Sequence, residues 1–181
     1  MPAEIVRDIV LASSGLLNKS IGGPSVKPYQ PPGLWEMATS GRGALTTYEE
    51  DAGALYYRRG MYTFIKRTVP PPSLMIFDGS NRDQCEVKRL KTNTPLQALV
   101  MMNDPTILEA ALTLSDKLLQ TKAGPEQVVS AGFERIICRK PEKKELAILT
   151  DYYKDRLRAF DKESDKVDKL LKVGRYKPVT T

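Results

Sequence analysis

Four prolines set the architecture of the second half of this chain. Pro95, Pro105, Pro125 and Pro141 each stand at the head of a run whose apolar residues recur at helical spacing. Proline suits the first turn of a helix, where its missing N–H is not needed, and it breaks a helix further in. Each one therefore marks a helix start. The best signed is Thr94-Pro95-Leu96-Gln97, where Thr94 as N-cap and Gln97 three residues on make a capping box. Leu96, Leu99, Val100 and Met102 give this helix its expected apolar face. Asn103-Asp104-Pro105 stops it and restarts the chain, with Asp104 as the next N-cap.

The following helix is predicted to run to about Gln120, on a stripe of Ile107, Leu108, Ala111, Leu112, Ser115, Leu118 and Leu119. Gly124-Pro125 opens another, with Val128, Val129, Phe133, Ile136 and Ile137 on one half of its circumference. Cys138, at its end, reads as a core residue. Pro141-Glu142 opens the last long helix, on Leu146, Leu149, Tyr152, Tyr153, Leu157 and Phe160. Beyond Asp161 the sequence turns sharply charged, and the final residues read as a loop that leads nowhere.

The first half uses proline differently. Pro24, Pro28, Pro31 and Pro32, then Pro70-Pro71-Pro72, punctuate it into loops and short elements. Residues 3–14 read as an amphipathic helix with Ile5, Val6, Ile9 and Val10 sharing a face and Gly15 as its stop. Tyr29, Leu34 and Trp35 should anchor the extended loop of residues 18–33, and residues 34–39 allow a helical turn. Residues 55–69 fit strand or helix, and a short turn of helix is expected over residues 73–77. The fold class is thus mainly α. A proline-rich irregular N-terminal half (1–60 and a central motif region, 61–104) is expected to pack on a C-terminal bundle or layer of about four helices (105–173), as a single domain.

The chain has no histidine, which removes His general bases, Ser-His and Cys-His nucleophile pairs and His-ligated zinc. Two cysteines, Cys85 and Cys138, are too few for a Cys-rich metal site. The net charge of +6 permits an anionic partner. However, its surplus is split between residues 58–91 and 139–181 and diluted by acids, the look of solvated helix faces rather than a nucleic-acid surface. No apolar run is long enough to span a membrane, and residues 1–15 do not read as a signal peptide.

The candidate ligand-binding residues are Lys66, Arg67, Asp78, Arg82, Asp83, Arg89 and Asn93. Arginine forks hold carboxylate, sulfate or phosphate, and carboxylates accept from sugar hydroxyls. The competing reading is that these groups pin an irregular segment by binding backbone. Asp78 and Asp83 are the only pair there that suits the two-carboxylate logic of glycoside hydrolysis, and five residues of loop is a weak spacing for it. A calcium site using Asp78, Asp83, Asn103 or Asp104 lacks the regular ligand spacing. No catalytic residue, metal ligand or cofactor is assigned in this chain.

An ordered string of motifs resembles a known family. It runs from Gly22-Gly23-Pro24 and Lys27-Pro28-Tyr29-Gln30-Pro31-Pro32-Gly33-Leu34-Trp35 through Tyr62-Thr63-Phe64 and Lys66-Arg67-Thr68. Pro70-Pro71-Pro72-Ser73, Phe77-Asp78, Arg82, Cys85 and Arg89 follow. Thr92-Asn93-Thr94-Pro95-Leu96-Gln97-Ala98-Leu99, Asn103-Asp104-Pro105 and Arg139-Lys140-Pro141 with Glu145 complete it. These motifs resemble planctomycete-specific domain one, an uncharacterised domain of large exported proteins associated with cytochrome c. The resemblance covers about residues 4–173.

The resemblance implies an extracytoplasmic location, at the periplasm or cell surface. It also implies haem c in upstream domains only, and other domains of the same parent protein as partners. It further implies that this chain is a fragment, with Ile5, Ile9 and Leu171 left as exposed apolar surface. The expected function is a non-catalytic scaffold or ligand-binding domain with an anionic or sugar ligand. The alternatives are a carboxylate enzyme acting on an extracellular polysaccharide and, more weakly, a basic nucleic-acid-binding domain.

Overall fold

The computed structural model describes residues 1–40, 42, 45–80, 82, 85–177 and 179, with Ser164 by its backbone alone. The chain divides into two compact units, Met1–Ala12 with Leu16–Asp104, and Ser13–Gly15 with Pro105–Thr181. Among the described residues there is no strand, only three isolated bridges.

The first unit holds α1 (Ala3–Ser14), α2 (Leu34–Thr39), α3 (Pro72–Ile76) and α4 (Pro95–Asn103) within long irregular stretches. The end of α1 belongs to the second unit. α1 ends at Gly15, whose φ of 77° is the left-handed conformation that favours glycine. Its buried positions lie off the Ile5–Ile9 stripe, which was expected to stay exposed. Ala3, Leu11 and Ser14 are buried, whereas Ile5 and Ile9 are exposed. Arg7, whose Nη2 donates to the Tyr56 carbonyl at 2.7 Å, and Gly60 lie on the packed side of the helix. A Cβ on Gly60 would come 2.7 Å from the Glu4 carbonyl oxygen, so that side of α1 lies directly against backbone. Leu171, the third residue expected to leave apolar surface, is half-buried.

Residues 55–69 form neither strand nor regular helix. Two 3-10 turns, Gly53–Leu55 and Gly60–Tyr62, break the run. The chain beside it pairs only at points, Asn18 with Arg58 and Val26 with Thr63. Val26 exchanges its N–H and carbonyl with Tyr62 and Phe64, both at 2.8 Å. Between those points lie Gly22 and Gly23, at φ 77° and 86°, and Pro24, which cannot donate to a ladder.

Trp35 is the centre of this unit, 1% exposed. Its ring meets Tyr48 edge-on at 4.9 Å and Phe64 at 5.8 Å, and its Nε1 donates to Gln30 Oε1 at 3.2 Å. The Tyr48 hydroxyl donates to the Pro28 carbonyl. Burial, with the nearby charges of Glu50 and Asp51, pushes the Tyr48 phenol far above its ordinary range.

The second unit holds α5 (Pro105–Leu119), α6 (Pro125–Ile137), α7 (Lys143–Phe160) and α8 (Ser164–Leu171). Pro105 and Pro125 open their helices as expected, while Pro141 precedes the start of α7 by two residues. Arg139 grips Glu145 through two bonds of 2.8 and 2.7 Å, and Glu145 also accepts the Glu142 N–H. Arg139's hydrogen bond is the larger reason that the Glu145 carboxyl is held down at about 2.

Several expectations fail here. On α5 the buried residues are Thr106, Glu109, Ala110, Thr113, Leu114 and Asp116, whereas Ala111, Ser115 and Leu119 are exposed. The final residues also have a destination, because the chain after α8 returns to α5. Glu109 Oε1 accepts the backbone N–H groups of Arg175 and Tyr176 at 3.0 and 2.8 Å. Asp116 Oδ2 accepts the Tyr176 hydroxyl at 2.6 Å and the Val179 N–H at 3.1 Å. Glu109 and Asp116 can occupy the inner face of α5 because this strap supplies their donors. Gly174, at φ 80°, lets the strap come close, since a Cβ there would lie 2.6 Å from the Glu109 Cβ. Cys138, expected in the core, is exposed in a left-handed conformation at the end of α6.

Candidate functional site

The capping box that opens α4 forms as its spelling implies, with Gln97 and Thr94 bonded reciprocally. Gln97 does more than cap. Its Nε2 donates to the Ile76 carbonyl at 2.9 Å and to the Thr92 hydroxyl at 3.0 Å. That hydroxyl donates on to the Asp78 carboxylate at 2.9 Å, which also accepts the Thr92 N–H at 2.7 Å. Asp78 itself sits at φ 58°, at the turn after α3. Its carboxylate therefore closes a loop of backbone and side-chain bonds that fixes α3, the turn and α4 together.

Arg89 binds Glu4 at the start of α1. Arg89 Nη1 donates to both Glu4 oxygens, at 3.0 and 2.7 Å. Burial opposes ionisation of Glu4, but Arg89's hydrogen bond and the charges of Arg89 and Arg82 outweigh it, so its carboxyl lies below the usual range. A carboxyl with a lowered folded pKa stabilises fully above the unfolded value and loses that contribution as pH falls through the folded one. Thermal melts from about pH 6 down to about pH 3 should therefore show a shallower acid limb in Arg89→Met than in the parent. Identical acid limbs would remove Arg89 from the ordering of this segment.

Lys66 lies elsewhere, its Nζ 4.4 Å from the centre of the Trp35 ring and 2.6 Å from the Leu45 carbonyl. Arg67 and Asn93 are exposed and make no polar contact among the described residues. Asp83 lies outside the described residues, so the geometry of an Asp78–Asp83 pair is likewise outside them. The candidate residues thus divide among three places. Arg89 binds Glu4, Asp78 serves the α3–α4 turn, and Lys66 caps the aromatic cluster. Among the described residues, no group of three or more Cys, Asp or Glu side chains is placed to hold a metal ion. Cys85 and Cys138 are free and exposed.

The most engaged charged residue of the first unit escaped the sequence reading. Arg58 is 2% exposed and donates to the Pro24 carbonyl at 2.9 Å, the Ser20 carbonyl at 3.3 Å and the Gly22 carbonyl. Its guanidinium lies 3.8 Å from the centre of the Tyr62 ring, and the Tyr62 hydroxyl accepts the Gly22 N–H. The Gly22-Gly23-Pro24 loop has no ladder of its own, so its carbonyls need a donor of this reach. Asp8 is the counterpart on α1, accepting from Arg59 Nε at 3.0 Å and from the Gly60 N–H at 2.6 Å. A clue to the strap was also present, since Thr106, Glu109, Thr113 and Asp116 recur at helical spacing as a polar stripe.

Beside Asp8 and Arg59 the surface opens into a groove of about 420 Å³, floored by Ile5, Ile9, Ala12 and Leu17. No helix among the described residues is long and apolar enough to cross a membrane.

A family model, PSD1, described as a protein of unknown function (DUF1553), matches residues 1–153. No curated protein matches the chain, and no solved structure does. The match takes in the whole first unit, with its Arg58 and Asp78 networks, and continues into α7. The chain belongs to the PSD1 family of proteins of unknown function.

Proposed function

We propose that this chain is a non-catalytic scaffold domain, part of an exported, cytochrome-linked multidomain protein. One observation carries the scaffold reading: Arg58, Asp78 and Arg89 are spent on holding the chain in place. Arg58 binds three carbonyls, Asp78 holds Thr92, and Arg89 holds Glu4. A general acid or base needs a carboxyl free to exchange a proton with substrate. Asp78 is instead committed to an N–H and a hydroxyl that hold a turn. The exported, cytochrome-linked context rests on the motif resemblance, with haem belonging to other domains of the parent protein.

Asp78→Asn tests the scaffold reading. The substitution should destabilise the fold by about 1–2 kcal/mol, since it weakens a charge-assisted hydrogen bond. The parent chain should leave soluble polysaccharides and aryl glycosides unhydrolysed. Hydrolysis that Asp78→Asn abolishes would establish the enzyme reading in its place. Duplex DNA should bind no tighter than about 10⁻⁶ M and be released by about 0.2 M salt. Salt-tolerant binding would contradict the scaffold reading from the other side. For the context, the neighbouring coding sequence should carry a signal peptide and a Cys-x-x-Cys-His motif, and their absence would refute the cytochrome link.

A further inference from the structure

Glu109 and Asp116 are buried on α5, 0% and 2% exposed, under a strap that is itself largely exposed. Arg175, Lys177 and Val179 are exposed, and Tyr176 is half-buried. The hold on α5 is polar. Glu109 takes the N–H groups of Arg175 and Tyr176, and Asp116 takes the Tyr176 hydroxyl and the Val179 N–H. A segment held this way, with little apolar burial of its own, opens locally at low cost. Opening returns both carboxylates to water, where their charge is hydrated.

The spacing of the acceptors matches that of an extended chain. Glu109 and Asp116 stand two turns apart on one face of α5, about 10.5 Å along its axis. From Tyr176 to Val179 an extended chain advances about 10 Å. One stretch of chain can therefore set an N–H group over each carboxylate. The family match takes in α5, with both carboxylates, and ends at residue 153, before the strap. The acceptors thus lie within the family domain and their donors lie outside it.

We infer that the inner face of α5 is a binding track for an extended segment of another protein, and that the strap is its displaceable intramolecular occupant. The segment it takes carries two successive unpaired N–H groups, the second on a tyrosine, and a third N–H three residues on. Main-chain bonds supply the affinity, and the phenol over Asp116 supplies the register. Basic neighbours, like Arg175 and Lys177 in the strap, suit the two carboxylates. The strap competes at the high effective concentration of a tethered ligand, so the track stays closed until the strap loosens. The inference rests on the scaffold reading and names the chemistry of its partner.

The test uses the full chain and a fluorescein-labelled peptide of the strap's own sequence, residues 173–179. A Cβ at Gly174 would lie 2.6 Å from the Glu109 Cβ, and φ there is 80°, so Gly174→Val dislodges the strap. Tyr176→Phe loosens it more mildly, by the one bond to Asp116. Fluorescence anisotropy should show the peptide binding Gly174→Val at least tenfold tighter than the parent, with Tyr176→Phe between them. Adding Glu109→Ala to either variant should weaken the peptide at least tenfold. So should N-methylation of the peptide's arginine and tyrosine amides, which removes the two donors and keeps every charge. The inference is overturned if the peptide binds neither variant, or binds parent and variants alike. It is also overturned if the N-methylated peptide binds as well, since the attraction is then one of charge alone. Parent dimers in sedimentation that Glu109→Ala disperses would make the occupant a second copy's strap and overturn the assignment to another protein. None of these outcomes touches the hydrolysis and Asp78→Asn results, so the scaffold reading stands or falls separately.

Discussion

Trp35→Ala is expected to destabilise the first unit by about 3–5 kcal/mol, the range for emptying a buried aromatic site. Trp35 is 1% exposed and joins Tyr48, Phe64 and Gln30, which come from three separated stretches of chain. Removing the ring leaves a cavity and strips Lys66 of the face it sits over. It also leaves Gln30 Oε1 buried without the indole N–H. Phe77, at the turn after α3, is only half-buried, so the same truncation there should cost clearly less. Urea unfolding followed by far-UV circular dichroism measures both. Equal losses at Trp35 and Phe77, or a loss below about 1 kcal/mol at Trp35, would move the centre of this unit elsewhere.

Glu109→Ala is expected to release the strap. The carboxylate is fully buried and accepts two successive N–H groups, from Arg175 and Tyr176. Losing it removes both acceptors, at about 1–3 kcal/mol for groups that stay out of water. The segment should respond by leaving α5. Amide exchange at residues 175 and 176 should then quicken at least tenfold, and trypsin should cut after Arg175 where it spared the parent chain. Tyr176→Phe removes one bond to Asp116 and leaves the Glu109 bonds, so its effect should be the smaller. Unchanged protection in Glu109→Ala would mean that the buried carboxylate is not what holds the strap.

The family fits this division of labour, since its match ends at residue 153 and the strap lies beyond it. The networks of Arg58 and Asp78 lie within the matched region.

What the sequence determined by itself was local. The Thr94–Gln97 box and Pro105 and Pro125 at helix starts act within a turn, on donors that the first residues of any helix leave free. Gly15 stops α1 for an equally local reason, a backbone conformation that other residues resist. Which face of each helix is buried was decided by tertiary structure. Apolar spacing favoured Ala111 and Ser115 on α5, and both are exposed. Glu109 and Asp116 are inside because their donors arrive from 60 to 67 residues away, in a tail with no pattern of its own. Arg58 is inside because carbonyls 34 to 38 residues earlier need it. A buried polar group is stable only with its partner, and periodicity does not carry the identity of a partner that far along the chain.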